Sequence, residues 1–358
     1  MNMERLDTIT FPTGDDMHLH VRQGAALQAV VPQTARQFAR AIIMPNTTPP
    51  TTTTGMAATY RAEVLAGVPE GFAFTPLMTL YLTGATTPEM IREAKDSGII
   101  HGVKFYPAGA TTNSEAGLAD LQNAEAVLAM MEEVGLPLLL HGETADPLVD
   151  VFERETRFID ETLPWVIKKF PRLRFVLEHI TTRRAAQFVM AAGANVVATI
   201  TPQHILANRN DMLGSGVRPH YYCKPILKHE DDREHLLRVA TSGNRKFFLG
   251  TDSAPHPRHG EWSKAKETGC GCAGCFSAHA ALELYAEAFD SVGAIAMLPD
   301  FASRFGREFY GLPENPGFVT LTREEWMPPQ ELAFGSATLV PFRAEKPLKW
   351  RAVRHPSS

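Results

Sequence analysis

Short apolar, β-branched runs alternate along this chain with longer stretches of helical period. The strand-like runs are Asp16–Val21, Arg40–Pro45, Ala73–Tyr81, Ile99–Tyr106, Leu136–His141, Arg174–His179, Asn195–Thr201 and Lys246–Gly250, eight in all. Between them lie helix candidates at Thr87–Ser97, Asn123–Val134, Thr182–Ala192 and Asp231–Ser242. Gly98, Gly135, Gly193 and Gly243 follow these four helices, where a left-handed terminating residue is expected. Extended runs joined by helices predict an α/β fold, and eight of them suit a closed parallel barrel better than an open sheet. After about Pro316 the pattern changes to short extended pieces with Pro breaks, Phe318–Leu321, Leu339–Phe342 and Trp350–Val353. This tail, 316–358, is expected to be an irregular appendage packed on the barrel, within one domain spanning 1–358.

Composition narrows the class. A chain of 358 residues with 44% hydrophobic and 21% charged residues is a globular protein able to bury a large core. A net charge of −5 gives no sign of nucleic-acid binding or of a basic membrane patch. No apolar run is long enough to span a bilayer, and the start, MNMERLDTITF, lacks the apolar stretch of a signal peptide, so a cytoplasmic location is expected. Four cysteines are too few for a disulfide framework. Cys270, Cys272 and Cys275 are spaced like half a metal site, with Cys223 a fourth ligand by elimination. The alternative is that reduced cysteines pack there as small apolar residues.

Polar residues gather where the apolar runs end. The first run reads Asp16-Met-His18-Leu-His20-Val-Arg22, and the period of two on a strand turns His18 and His20 to one side, with Arg22 continuing the line. Alone, such a pair is equally well a pair of hydrogen-bonded histidines. The second run ends at Asn46, the fourth contains Lys104, the fifth ends at His141, the sixth at His179, and the eighth leads to Asp252 and His256. In a barrel these ends share one face. Four His and one Asp are N and O ligands suited to zinc or a similar divalent ion, and they exceed the needs of one open catalytic metal, which suits a pair. Lys104 lies inside an apolar strand, where an ammonium needs compensation. A salt bridge, a stem reaching to the barrel mouth, or capture of CO₂ as an anionic carbamate bridging two cations would each supply it.

Taken together, DDMHLHVRQG at 15–24, AIIMPNTTPP at 41–50, VKFYPAGATTNS at 103–114, LLLHGE at 138–143, LEHITT at 177–182, ATITPQH at 198–204, GVRPHYYCKPILK at 216–228 and GTDSAPH at 250–256 closely resemble the bacterial dihydroorotases of the shorter, class II type, in the amidohydrolase superfamily. The resemblance spans nearly the whole chain. It implies a (β/α)8 TIM barrel with a short C-terminal appendage, holding two Zn²⁺ per subunit. By that likeness His18, His20 and Asp252 bind the more buried ion, His141 and His179 bind the second, and Lys104 becomes N6-carboxylysine and bridges both. Arg22, Asn46 and His256 hold the substrate's α-carboxylate; His20, His141, Lys224 and Ala273 also touch substrate, and Thr111 and Thr112 belong to a substrate-responsive lid. The implied reaction is the reversible interconversion of N-carbamoyl-L-aspartate and L-dihydroorotate plus water, with Asp252 taking a proton from the attacking water and passing it to the departing nitrogen. The implied partner is this small-molecule substrate, and the implied assembly a homodimer.

Two departures stand out. The family often has Leu where this chain has Lys224, and the segment between His256 and Cys270 is a few residues longer than in familiar members, which loosens the placement of Ala273. Two alternatives are weighed. Another amidohydrolase, such as a hydantoinase, an allantoinase or a phosphotriesterase-like enzyme, would share the metal ligands but not the Arg22, Asn46 and His256 set. A barrel that has lost catalysis would show broken ligands, and here all six positions are filled.

Overall fold

Each of the eight runs becomes a strand of one parallel sheet. The computed structural model describes residues 6–261, 264–268 and 271–355. After β1 (Thr8–Pro12), which belongs to another sheet, come β2 (Asp15–Leu19), β3 (Arg40–Ile43), β4 (Thr75–Tyr81), β5 (Ile100–Phe105), β6 (Leu138–His141), β7 (Phe175–Glu178), β8 (Val196–Ile200) and β9 (Phe247–Leu249), side by side in that order. Almost every residue in them is buried. Helices cover the outer face and the barrel interior covers the other, so the strands read as continuous apolar runs rather than alternating ones. Met17, Ile42, Leu77, Leu139, Val176, Val197 and Phe248 pack inside the barrel, on the amino-terminal side of the polar strand ends, and give the site a dry floor.

Helix starts follow local chemistry. Thr53, Thr87 and Thr182 cap the helices Thr54–Ala66, Pro88–Asp96 and Arg183–Ala191, each accepting a bond from a backbone N–H of the first turn. Gly98, Gly135 and Gly243 adopt the expected left-handed backbone, with φ of 69°, 67° and 73°. Gly193 does not. Its helix ends in an extended Ala192 instead, and a Cβ on Gly193 would lie 2.5 Å from the Asn195 Oδ1. There the glycine answers a close approach, not a turn.

The barrel closes at the level of the candidate ligands. Asp252 N–H donates to the His18 carbonyl (2.9 Å) and His20 N–H to the Ser253 carbonyl (3.1 Å). Below this seam the buried Asp16 carboxylate accepts from Thr251 N–H (2.8 Å) and Thr251 Oγ1 (2.6 Å). The first and last strand ends are thus stitched together by the segments that carry His18, His20 and Asp252.

The carboxyl-terminal tail comprises β10 (Phe318–Trp326), a hairpin of β11 (Leu332–Phe334) and β12 (Ala337–Leu339), and β13 (Leu348–His355). β10 lies antiparallel between β1 and β13. The part played by Thr8–Pro12 is absent from the sequence expectation, because only Phe11 of its five residues is fully buried and the apolar signal is weak. Trp350 anchors the tail with no exposed surface, and Arg354 donates to the carbonyls of Ala35 (2.6 Å) and Phe38 (2.8 Å).

Candidate active site

The polar strand ends converge at one mouth of the barrel. His18 Nε2 and His20 Nε2 are 3.3 Å apart, and Asp252 Oδ1 lies 3.4 Å from the first and 3.2 Å from the second. His179 stacks edge-on to His18 at 4.9 Å between ring centres, and His141 edge-on to His179 at 4.8 Å. His141 Nε2 is 2.8 Å from Glu143 Oε2. All five side chains are buried.

Three of these arrangements depend on backbone that side chains rarely adopt. Arg22, His179 and Asp252 have φ of 59°, 44° and 45°, and Asn113, beside Asn46, has 54°. Among the described residues only one other non-glycine, Arg343, shares this conformation. Strain of this kind persists where surrounding structure holds it, and it clusters at functional sites. At His179 its effect is legible. Strand alternation would turn 178 and 179 to opposite faces, yet the left-handed residue brings Glu178 and His179 into the same group as His18.

Glu178 is the residue that sequence reasoning left without a role. Its carboxylate pairs with the Lys104 ammonium, fully buried, and its other oxygen stands 3.1 Å from His18 Nδ1 without hydrogen-bond alignment. The ion pair is thus one of the compensations within reach of Lys104. Burial lowers the Lys104 pKa, with Glu178 opposing the shift. Tyr106 was likewise passed over, although it shares the inward period of Lys104 on the same run. Its ring lies 5.0 Å from Lys104 Nζ and its phenol, pushed well up by burial, stays protonated and faces the pocket without a partner.

The residues expected to bind an anion sit beside this cluster. Arg22 Nε donates to the Pro255 carbonyl (2.8 Å), and Arg22 Nη2 and the Ala273 carbonyl both lie 2.9 Å from His256 Nε2. A neutral imidazole nitrogen either donates or accepts, so it serves one of these neighbours at a time. Burial, then the Arg22 charge, holds His256 well below the ordinary imidazole range, so the ring is neutral. Asn46 Oδ1 meets His20 Nδ1 at 2.8 Å, and its amide donates to the Thr112 carbonyl at 3.2 Å. The 110–114 segment is held down further by Thr112 Oγ1 to the Ala273 carbonyl (3.4 Å) and by Lys224 Nζ to the Ala110 carbonyl (2.8 Å). Lys224 thus engages through its side chain where a leucine could not.

His18, His20, Arg22, Asn46, Thr111, Thr112, His141, His179, Lys224, Asp252 and Ala273 all line one pocket, with Tyr106, Ala254 and Gly274. Lys104 and His256 are buried just behind its wall. The cysteines form no metal site among the described residues. Cys223, Cys272 and Cys275 are buried and in no disulfide, and Cys270 lies outside the described residues.

The donor set fits a metal centre. Ligands of one tetrahedral zinc at about 2.0–2.1 Å stand roughly 3.3 Å apart, which is the spacing of the His18, His20 and Asp252 atoms. A second group, His18, Glu178 and His179, also lies within one ion's reach. Burial holds His18, His20 and His179 below the usual imidazole range, leaving neutral rings with lone pairs to offer. Burial pushes the Asp252 carboxyl up, but the neighbouring His20 and His18 rings and the Lys104 ammonium outweigh it and hold it below the usual range, so it is ionised. His179 Nδ1 and His18 Nδ1 are buried without a hydrogen-bond partner.

Known proteins agree with this geometry. Residues 9–319 match the model of the amidohydrolase family. The chain is 57% identical over 345 residues to the dihydroorotase of Cupriavidus metallidurans, covering 96% of this chain and 98% of that one. The crystal structure of Saccharomyces cerevisiae dihydroorotase in complex with 5-fluoroorotic acid superposes with a TM-score of 0.90 at 32% identity, over 99% of this chain and 100% of the other. That of Campylobacter jejuni dihydroorotase gives 0.88 at 35% identity, over 98% and 99%. The chain belongs to the amidohydrolase family and, within it, to the dihydroorotases.

Proposed function

We propose that this chain catalyses the reversible interconversion of N-carbamoyl-L-aspartate and L-dihydroorotate plus water, a step of de novo pyrimidine (UMP) synthesis. One observation carries the reading: the neutral imidazoles of His18, His20 and His179 and the ionised Asp252 stand in the same pocket as Arg22, with His256 bonded behind it. The first group suits amide hydrolysis and the second suits a carboxylate on the substrate. The yeast relative's ligand, 5-fluoroorotic acid, is a ring of this size bearing a carboxylate.

Two zinc ions per subunit would be held by His18, His20 and Asp252 on one side and by His141 and His179 on the other. Lys104, as N6-carboxylysine, would lie between them. Burial of Lys104 supports the carbamate, since a depressed pKa frees the amine that takes up CO₂. Metal held there would supply an acidified water and a Lewis acid for the amide carbonyl. The chain's own residues do the rest. Arg22, with its planar fork, clamps the α-carboxylate, helped by Asn46 and His256. Asp252 accepts a proton from the attacking water and delivers it to the ring nitrogen as the C–N bond breaks. In ring closure Asp252 takes the carbamoyl N–H proton and passes it to the departing β-carboxylate oxygen, which with one further proton from solvent leaves as water. His20, His141, Lys224 and Ala273 contact substrate, and Thr111 and Thr112 close over it and exclude water.

The chain is read as one domain, supported by the pairing of β1 with β10 at opposite ends of the sequence. A homodimer and a cytoplasmic location rest on the family likeness; sedimentation velocity tests the first. Among the described residues no helix is long and apolar enough to cross a membrane. The functional test compares turnover of dihydroorotate, hydantoin and a phosphotriester by the purified protein. Ring opening of dihydroorotate alone is expected, and preferred turnover of either other substrate overturns the reading.

A further inference from the structure

Lys266 carries no part of the chemistry above, yet it is 3% exposed and sits behind the pocket wall. Its ammonium donates to three backbone carbonyls, of Tyr222 (2.7 Å), Cys272 (2.8 Å) and Gly274 (2.8 Å). An ammonium has three N–H bonds, and all three are used. No carboxylate pairs with it in these bonds. A buried charge satisfied only by carbonyls is costly unless the geometry it holds matters.

That geometry is specific. Cys272 and Gly274 flank Ala273, whose carbonyl meets His256 Nε2 and Thr112 Oγ1. Gly274 N–H also donates to the Tyr222 carbonyl (2.9 Å), so the lysine and the loop share one anchor. The Gly274 backbone is packed so closely that a Cβ would come within 2.7 Å of the Ala254 carbonyl oxygen and 2.9 Å of His256 Cδ2. The lysine's own backbone is tied in as well, through its N–H to the Pro257 carbonyl (2.9 Å). Lys266 thus ties its own stretch of backbone to the 272–274 segment and to Tyr222.

The geometry points to Lys266 as a positioning residue for substrate: its buried ammonium fixes the 272–274 backbone, and with it the Ala273 carbonyl that holds the His256 ring beside Arg22 at the ligand's carboxylate end. This rests on the reading of Arg22, Asn46 and His256 as the carboxylate-binding group. Lys266 touches no reacting atom and no candidate metal ligand, so its loss is felt in binding before chemistry.

The test uses zinc-loaded enzyme, with steady-state kinetics on dihydroorotate, calorimetric titration with orotate, metal content and Tm. Lys266→Met is expected to raise KM and the orotate Kd by at least about tenfold while kcat stays within about threefold and metal content is unchanged. Lys266→Arg, which keeps the charge and donors, is expected to recover most of the affinity. If the Met variant does not fold, Lys266→Gln, with two donors, is judged by the same criteria. A lower Tm with unchanged KM and Kd overturns the proposal, as does loss of metal together with kcat. His256→Asn separates the two readings. If it leaves orotate affinity unchanged, the carboxylate-binding assignment itself fails. If it weakens affinity and Lys266→Met does not, only the lysine's role fails.

Discussion

Replacing Arg22 with Lys tests the carboxylate clamp while keeping its charge. Arg22 is held by an unusual arrangement. Its backbone is left-handed, its carbonyl accepts from Tyr60 OH at 2.7 Å, and its Nε is spent on the Pro255 carbonyl at 2.8 Å. The guanidinium plane is thereby fixed, with Nη2 at the His256 ring. A carboxylate docking on that plane gains two parallel charge-assisted bonds. A lysine keeps the cation but loses the anchoring Nε–H and one of the two parallel bonds. One such bond is worth about 1.5–3 kcal/mol, so the loss is about 2 kcal/mol, or about 30-fold in kcat/KM. The assay is dihydroorotate ring opening under first-order conditions, with orotate affinity measured alongside and metal content as a control. A fall of that size in both, with metal retained, is expected. A kcat/KM within about threefold of the unmodified enzyme refutes the clamp.

Other consequences follow from the same geometry. Asp252→Asn removes the proton carrier and is expected to lower kcat by about 10²–10⁴-fold; full turnover in that variant rules out the assignment. Replacing Thr111 and Thr112 together with Ala is expected to depress turnover without stripping metal, and normal rates would show that the 110–114 segment is no lid. Glu283, far from the site, has its pKa raised to about 7 by burial, with one oxygen accepting from Ala352 N–H and the other unpartnered. The native state therefore holds a proton that the unfolded chain releases, and stability falls as pH rises from the unfolded carboxyl pKa of about 4.5 through about 7. The contribution lost over that window is about 3 kcal/mol. Glu283→Gln should consequently raise Tm more at pH 8 than at pH 5, by calorimetry in matched buffers; equal shifts at both pH values would contradict it.

The strands and the six candidate ligand positions were legible because a parallel barrel writes its core as apolar runs and its site as polar residues at their ends. His18 and His20 follow strand period, and the barrel's closure at 18, 20 and 252 makes their convergence with Asp252 a matter of topology. The rest depended on features with no sequence signature. Glu178 escaped because strand alternation turns it away from His179, and only the left-handed φ at 179 brings both inward. Tyr106 was within reach of the same period that singled out Lys104. Lys224 could be marked as a departure, but its bond to the Ala110 carbonyl spans 114 residues of sequence. Lys266 lies in a segment without period, and its carbonyl partners combine the nearby Cys272 and Gly274 with Tyr222, 44 residues earlier in the sequence.

On this reading the histidine cluster and Asp252 hold the ions on which turnover depends. The sharpest test is metal analysis of the purified protein, paired with dihydroorotate turnover before and after chelation and again after zinc is restored. Two equivalents of metal per chain are expected to leave and return in step with activity. Full turnover in protein stripped of metal would contradict it.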